Sequence, residues 1–144
     1  MKKKICIVLA DYYKDITNML LKGSSNQIKE EEAQHKLNII QESIYVPGVF
    51  EIPVTISKLI TKYDAFVSLG CVIKGETSHY DIISKAVVNS IMDLSVKNKK
   101  PIGNGIITCF NMQQAIQRAD PNKKNVGGKA VSAVLQTLAN FKNA

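Results

Sequence analysis

The stretch GCVIKGETSHYD, residues 70–81, follows an apolar run and gathers two glycines, a lysine, a glutamate, two hydroxyls and one of the chain's two histidines. Gly75, Glu76, Thr77 and Ser78 precede a segment with helical spacing. Free backbone N–H groups, a hydroxyl and the positive end of a helix dipole are therefore available to receive a phosphate. His79 stands at the start of that helix, where an imidazole can pass protons near neutral pH. Arg118, late in NMQQAIQRA, offers a guanidinium fork that matches phosphate oxygens in pairs. Tyr12, Tyr13 and Phe50 fall near strand ends, where they can stack on a heteroaromatic ring. Each signal also has a plainer reading: a capping histidine, turn chemistry, a solvated arginine, core aromatics.

Other chemistries find less support. His35 and His79 are far apart in sequence with no acidic cluster beside either, so no metal site is expected. Cys71 continues an apolar strand as a small buried hydrophobe would, which argues against a cysteine nucleophile paired with His79. The chain has neither the G-x-G-x-x-G nor the G-x-x-x-x-G-K-[ST] pattern, so dinucleotide and P-loop readings lack a basis. The formal net charge of +7 rests on lysines at 2–4, 97, 99, 100, 123 and 124 with no aromatics interleaved. That pattern reads as a solvated surface attractive to small anions, with no nucleic acid expected. Cys6, Cys71 and Cys109 are odd in number and lack C-x-x-C spacing, which fits a reducing, cytoplasmic setting. No apolar run is long enough to span a bilayer, and MKKKICIVLADYYKD lacks a cleavage site, so no membrane association is expected.

These side chains must be positioned by elements of alternating type. Apolar residues make up 45% of the 144 and charged residues 22%, an ordinary balance for one folded domain over residues 1–144. Residues 4–10, 37–46, 64–73 and 101–108 read as strands. Helical spacing fills 80–97, 111–119 and 128–141, and a helix capped by Asp15 or Thr17 runs to about Lys36, weakened in its middle by Gly23, Ser24 and Ser25. In 80–97 the apolar face reads as Ile82, Ile83, Ala86, Val87, Ile91 and Leu94. Pro53 is tolerable only in a helix's first turn, which starts the second helix near Val49 or Phe50. Strands alternating with helices imply a three-layer α/β/α sandwich of flavodoxin-like type around a four-stranded parallel sheet. In such sheets ligands bind at the carboxyl ends of the strands, where residues 70–81 sit.

Taken together, VPGVFEIP, LGCVIKGETSHYD and GIITCFNMQQAIQRA resemble the lumazine synthase family, in order and over nearly the whole chain. P-G-x-x-E-I-P, then G-x-V-I-x-G-x-T-x-H, then Q-A-x-x-R is a specific combination. The resemblance implies condensation of 5-amino-6-(D-ribitylamino)uracil with 3,4-dihydroxy-2-butanone 4-phosphate to 6,7-dimethyl-8-ribityllumazine, the penultimate step of riboflavin biosynthesis. It implies no cofactor and no metal. It further implies that Tyr12 stacks on the pyrimidine, that Val49, Phe50 and Glu51 line the ribityl and pyrimidine site, and that backbone groups of Cys71, Val72 and Ile73 hold the pyrimidine edge. Glu76 and Thr77 would hold the substrate phosphate, Arg118 would reach it from the adjacent subunit, and His79 would be the catalytic proton shuttle.

Two positions depart from the pattern. Asn104 stands where the family has an aromatic that helps to sandwich the pyrimidine, which leaves stacking one-sided. Val126 stands where a lysine near the phosphate is common, leaving Lys123, Lys124 or Lys129, or no residue at all, to supply that charge. The resemblance implies a homopentamer, with a pair of pentamers and riboflavin synthase as further partners it leaves open. With only Met1 to Lys3 ahead of the first strand, a shell of pentamers is not expected. Three rival readings are an archaeal-type riboflavin synthase, disfavoured by the intact GETSH, a lumazine-binding scaffold without turnover, favoured by Asn104 and Val126, and a structural protein whose pentamer is itself the function, which needs no histidine at residue 79.

Overall fold

A computed structural model of the chain describes residues 2–75 and 79–142. The elements run β1 (Lys2–Ala10), α1 (Lys14–His35), β2 (Asn38–Val46), a 3-10 turn (Val49–Glu51) leading into α2 (Ile52–Leu59), β3 (Ala65–Ile73), α3 (His79–Asn98), β4 (Ile102–Cys109), α4 (Met112–Ala119) and α5 (Val126–Lys142). All strand pairs are parallel and the order is β2-β1-β3-β4. This is the leading part of the flavodoxin-like order, and helices cover both faces.

Side-chain alternation along the strands builds the two halves of the core. Ile5, Ile7 and Leu9 of β1 and Val67 and Leu69 of β3 point to one face, where Ile16 and Leu20 of α1, Ala115 of α4 and Val131 and Val134 of α5 meet them. Cys6, Val8 and Ala10 with Phe66 point to the other, under Ile52 and Ile56 of α2 and Val87 and Ile91 of α3. Strands covered on both faces read as unbroken apolar runs, which is why β1 and β3 were plain in the sequence.

α1 runs as one helix to His35, as expected, and is continuous through Gly23, Ser24 and Ser25. Gly23 and Ser24 are buried, and the Ser24 hydroxyl donates to the Gly127 carbonyl oxygen at 3.0 Å. The small residues are there for close approach to α5. The structure corrects two details of the sequence reading. First, α5 starts at Val126, two residues early, because the Asn125 side chain accepts from the Gly128 N–H at 3.2 Å and caps it. Second, α1 is capped by neither Asp15 nor Thr17: Tyr13 occupies the N-cap without a side-chain bond. The buried Thr17 hydroxyl instead shares its proton between the carbonyl oxygens of Ala10 (2.8 Å) and Tyr13 (3.0 Å). In α3 the apolar face also divides, with Val87 and Ile91 buried and Ile82 63% exposed.

A methyl group added at Gly127 would press on the Leu20 carbonyl oxygen and the Ser24 hydroxyl. Both belong to the packed α1 surface, so neither can yield cheaply. Gly127→Ala is expected to destabilise the fold by about 1–3 kcal/mol, as overpacking in a tight contact does. Thermal unfolding should show a midpoint several degrees lower; an unchanged midpoint would mean that the two helices can separate freely.

Candidate active site

The chain leaves β1 toward β2 on one side, and β3 then forms on the other side of β1. Strand order therefore reverses between β1 and β3, and their carboxyl ends flank the crevice where ligands of such sheets bind. A cleft of about 510 Å³ lies there, lined by Tyr12 and Tyr13 after β1, Gly48, Val49 and Phe50 after β2, Cys71, Val72 and Ile73 at the end of β3, and His79 and Ile83 of α3. That volume suits a heterocycle with a polyol side chain.

Local contacts fix each wall. The Thr17 hydroxyl ties the end of β1 to the first turn of α1, and the Asp11 N–H donates to the Val46 carbonyl oxygen at 2.9 Å. Tyr12 and Tyr13 are thereby held edge to face, with ring centroids 4.9 Å apart and planes at 79°. Tyr12 is 73% and Phe50 64% exposed, an unusual expenditure of aromatic surface that leaves both rings open to a ligand. Gly70 makes room for the opposite wall: a Cβ there would lie 2.7 Å from a Val49 methyl and 3.1 Å from the Ala10 Cβ. Val49 can sit on the end of the sheet only because residue 70 has no side chain.

The structure brings together Tyr12, Val49, Phe50, Cys71, Val72, Ile73 and His79. Glu51 lies in the adjoining groove with Val54 and Ser90, sharing Phe50 with the cleft. Glu76 and Thr77 lie outside the described residues. Asn104 and Arg118 do not line this chain's cleft. Asn104 is exposed on β4, the outermost strand, where its side-chain oxygen accepts from the Ile106 N–H at 3.1 Å. Arg118 lines a separate groove on α4. Gly48 and Ile83 line the cleft without having been named as site residues from the sequence: Gly48 stood only within the P-G-x-x-E-I-P motif, and Ile83 read only as part of an apolar helix face. Among the described residues no group of three or more His, Cys, Asp or Glu is placed to hold a metal ion.

The family described as 6,7-dimethyl-8-ribityllumazine synthase matches residues 2–142. The chain belongs to that family. Among relatives bearing the same name, that of Zymomonas mobilis subsp. mobilis is 43% identical over 141 residues, covering 96% of both chains. That of Bartonella tribocorum is 40% identical over 144 residues, covering 96% of this chain and 91% of its own. That of Methylorubrum populi is 41% identical over 143 residues, covering 94% and 81%. No helix among the described residues is long and apolar enough to cross a membrane.

In this lumazine synthase framework Cys71 is a wall and not a nucleophile. Burial pushes its thiol up to about 12, helped by Cys109 beside it. Near neutral pH the thiol therefore stays protonated, which withholds the reactive thiolate. Burial likewise pushes Cys6 up to about 11, with the charge of Glu42 adding to it, and raises the Tyr13 phenol. The fold favours the neutral thiols, so their contribution to stability is complete below the unfolded value of 9.0 and is lost as pH climbs through 11 to 12. Native protein treated with an aromatic disulfide reagent at pH 8 should therefore label Cys6 and Cys71 slowly and release the full count only on denaturation. Rapid stoichiometric labelling of Cys71 would restore the nucleophile reading.

Proposed function

We propose that this chain, as one domain over residues 1–144, condenses 5-amino-6-(D-ribitylamino)uracil with 3,4-dihydroxy-2-butanone 4-phosphate to 6,7-dimethyl-8-ribityllumazine, releasing phosphate and water. The observation that carries the reading is the single cleft in which Tyr12, Phe50, the end of β3 and His79 meet at the reversal of strand order, in a chain of the lumazine synthase family. Tyr12 stacks on the pyrimidine, and backbone groups of Cys71, Val72 and Ile73 hold its edge. Val49 and Phe50 line the ribityl side, with Glu51 accepting a hydrogen bond from a ribityl hydroxyl. Glu76 and Thr77 receive the phosphate. His79 moves protons as the amine adds to the ketone, the imine forms with loss of water, phosphate leaves and the ring closes with loss of a second water. Holding both substrates together supplies much of the rate, for which positioning is worth about 7–11 kcal/mol in favourable cases. The components are soluble metabolites and the thiols are free, which fits a cytoplasmic enzyme.

Completion by a neighbouring copy accounts for the residues outside this chain's own cleft. Asn104 lies on β4 and Arg118 on α4, and neither lines the cleft that holds His79. A second observation favours self-association: Ile82, Met92 and Val96 fall on one stripe of α3 and are 60–69% exposed, with Val54 of α2 66% exposed on the same layer. An apolar surface of this kind marks a protein interface. The assembly proposed is a homopentamer, alone or paired, with riboflavin synthase as a candidate partner that would consume the product.

Two outcomes test this. Mixing the two substrates with the wild-type protein should give growth of lumazine absorbance and fluorescence, and His79→Ala should lower kcat by about 10²-fold with smaller changes in KM. Equal rates would make His79 structural, and no product from either protein would favour a pigment-binding scaffold. Supplying lumazine alone separates condensation from dismutation. In sedimentation, the wild-type protein should run as five or ten chains of 15.9 kDa, and Met92→Glu should shift it to smaller species; a wild-type monomer at micromolar concentration would sink the assembly.

A further inference from the structure

A phosphate group needs cations, and the described lining of the ring cleft contains no lysine or arginine. Lys74, next along β3, directs its ammonium over the Phe110 ring, 5.5 Å from the centroid. The groove on α4 has the complementary composition. It encloses about 420 Å³ and is lined by Asn111, Gln113, Gln114, Gln117, Arg118 and Lys124: four neutral amides, two cations and no carboxylate. Two cations with amide donors between them match a phosphate dianion in charge and in hydrogen-bonding capacity.

From this groove we infer that Lys124 is a second phosphate-binding cation, acting beside Arg118 on the four-carbon substrate held in a neighbouring copy's cleft. The inference rests on the reading proposed above and extends it to a residue for which the family pattern gives no role. The position of Val126 cannot supply the charge, since its side chain packs partly buried against the core. Lys123 and Lys129 do not line the groove, which leaves Lys124 of the three lysines nearby.

The turn that carries Lys124 is rigidly built. The Lys124 N–H donates to the Gln117 carbonyl oxygen at 3.2 Å, one residue from Arg118. The Asp120 carbonyl oxygen accepts from Lys123 N–H (2.9 Å) and Asn125 N–H (3.2 Å). Asn125, in the left-handed region at φ 49°, turns the chain into α5, and its side chain accepts from Gly128 N–H. The nearest carboxylate, Asp120, is engaged with the Asn122 N–H at 2.8 Å. Arg118 is half-buried, its Nη1 donating to the Gln114 carbonyl oxygen at 3.4 Å. A long contact of this kind uses one of five guanidinium donors and leaves a fork for phosphate.

The test uses the assembled wild-type protein with Lys124→Met, Lys124→Arg and, as controls, Lys123→Met and Lys129→Met. Lys124→Met should raise KM for the four-carbon phosphate about tenfold, with kcat and KM for the pyrimidine within about twofold. Lys124→Arg should restore most of the loss, because it keeps the charge. Binding of inorganic phosphate, followed by titration calorimetry in the absence of turnover, should weaken in parallel in Lys124→Met and not in the two controls. Unchanged phosphate binding and unchanged KM in Lys124→Met would overturn the inference, as would a fall confined to kcat. If the wild-type protein bound phosphate through Lys124 yet formed no lumazine, the condensation reading would fail while the anion site stood.

Discussion

A parallel crossover is right-handed almost without exception. Every functional position in this chain depends on that rule. The step from β1 to β2 carries α1 to one face of the sheet. The next step has to pass back over β1 to reach β3 with the same hand, and so puts α2 on the opposite face. Between the carboxyl ends of β1 and β3 the connections depart in opposite directions, which leaves a cleft among the described residues. The cleft is therefore a by-product of handedness and strand order before any side chain is chosen. What the sequence adds is the lining: Gly70 lets Val49 settle on the sheet end, and the Thr17 hydroxyl fixes the turn that presents Tyr12.

The elements were legible where a single local pattern was enough. The runs ICIVLA and AFVSLGCVI are apolar throughout because they are buried on both faces, and no helix of that length needs such uniformity. His79 was legible as a helix-start residue for the same reason, since the apolar spacing after it begins at once. What a local pattern misses is long-range contact. Gly23 and Ser24 lower helix propensity, and tertiary contact with Gly127 outweighs it. Propensity alone could not show that contact because its partner lies about a hundred residues away. Ile82 has the spacing of a core residue and faces outward, on the surface proposed above to meet another chain. The sequence cannot separate the two, because burial by the chain itself and burial by a neighbour leave the same apolar stripe. Asn104 was visible only through family resemblance, whereas Arg118 was legible as a phosphate-binding cation from its type alone. Nothing in their neighbours' types tells which chain's cleft they would serve.

The division of labour between the ring cleft and the α4 groove has a physical logic. Stacking of a heterocycle on Tyr12 and Phe50 gains from a dry, apolar surround, whereas a phosphate dianion must be met by charge and donors. In the assembly proposed above the cations would come from a neighbouring copy, so an isolated chain would hold only part of the site, and the surface burial that stabilises the oligomer would also complete the chemistry.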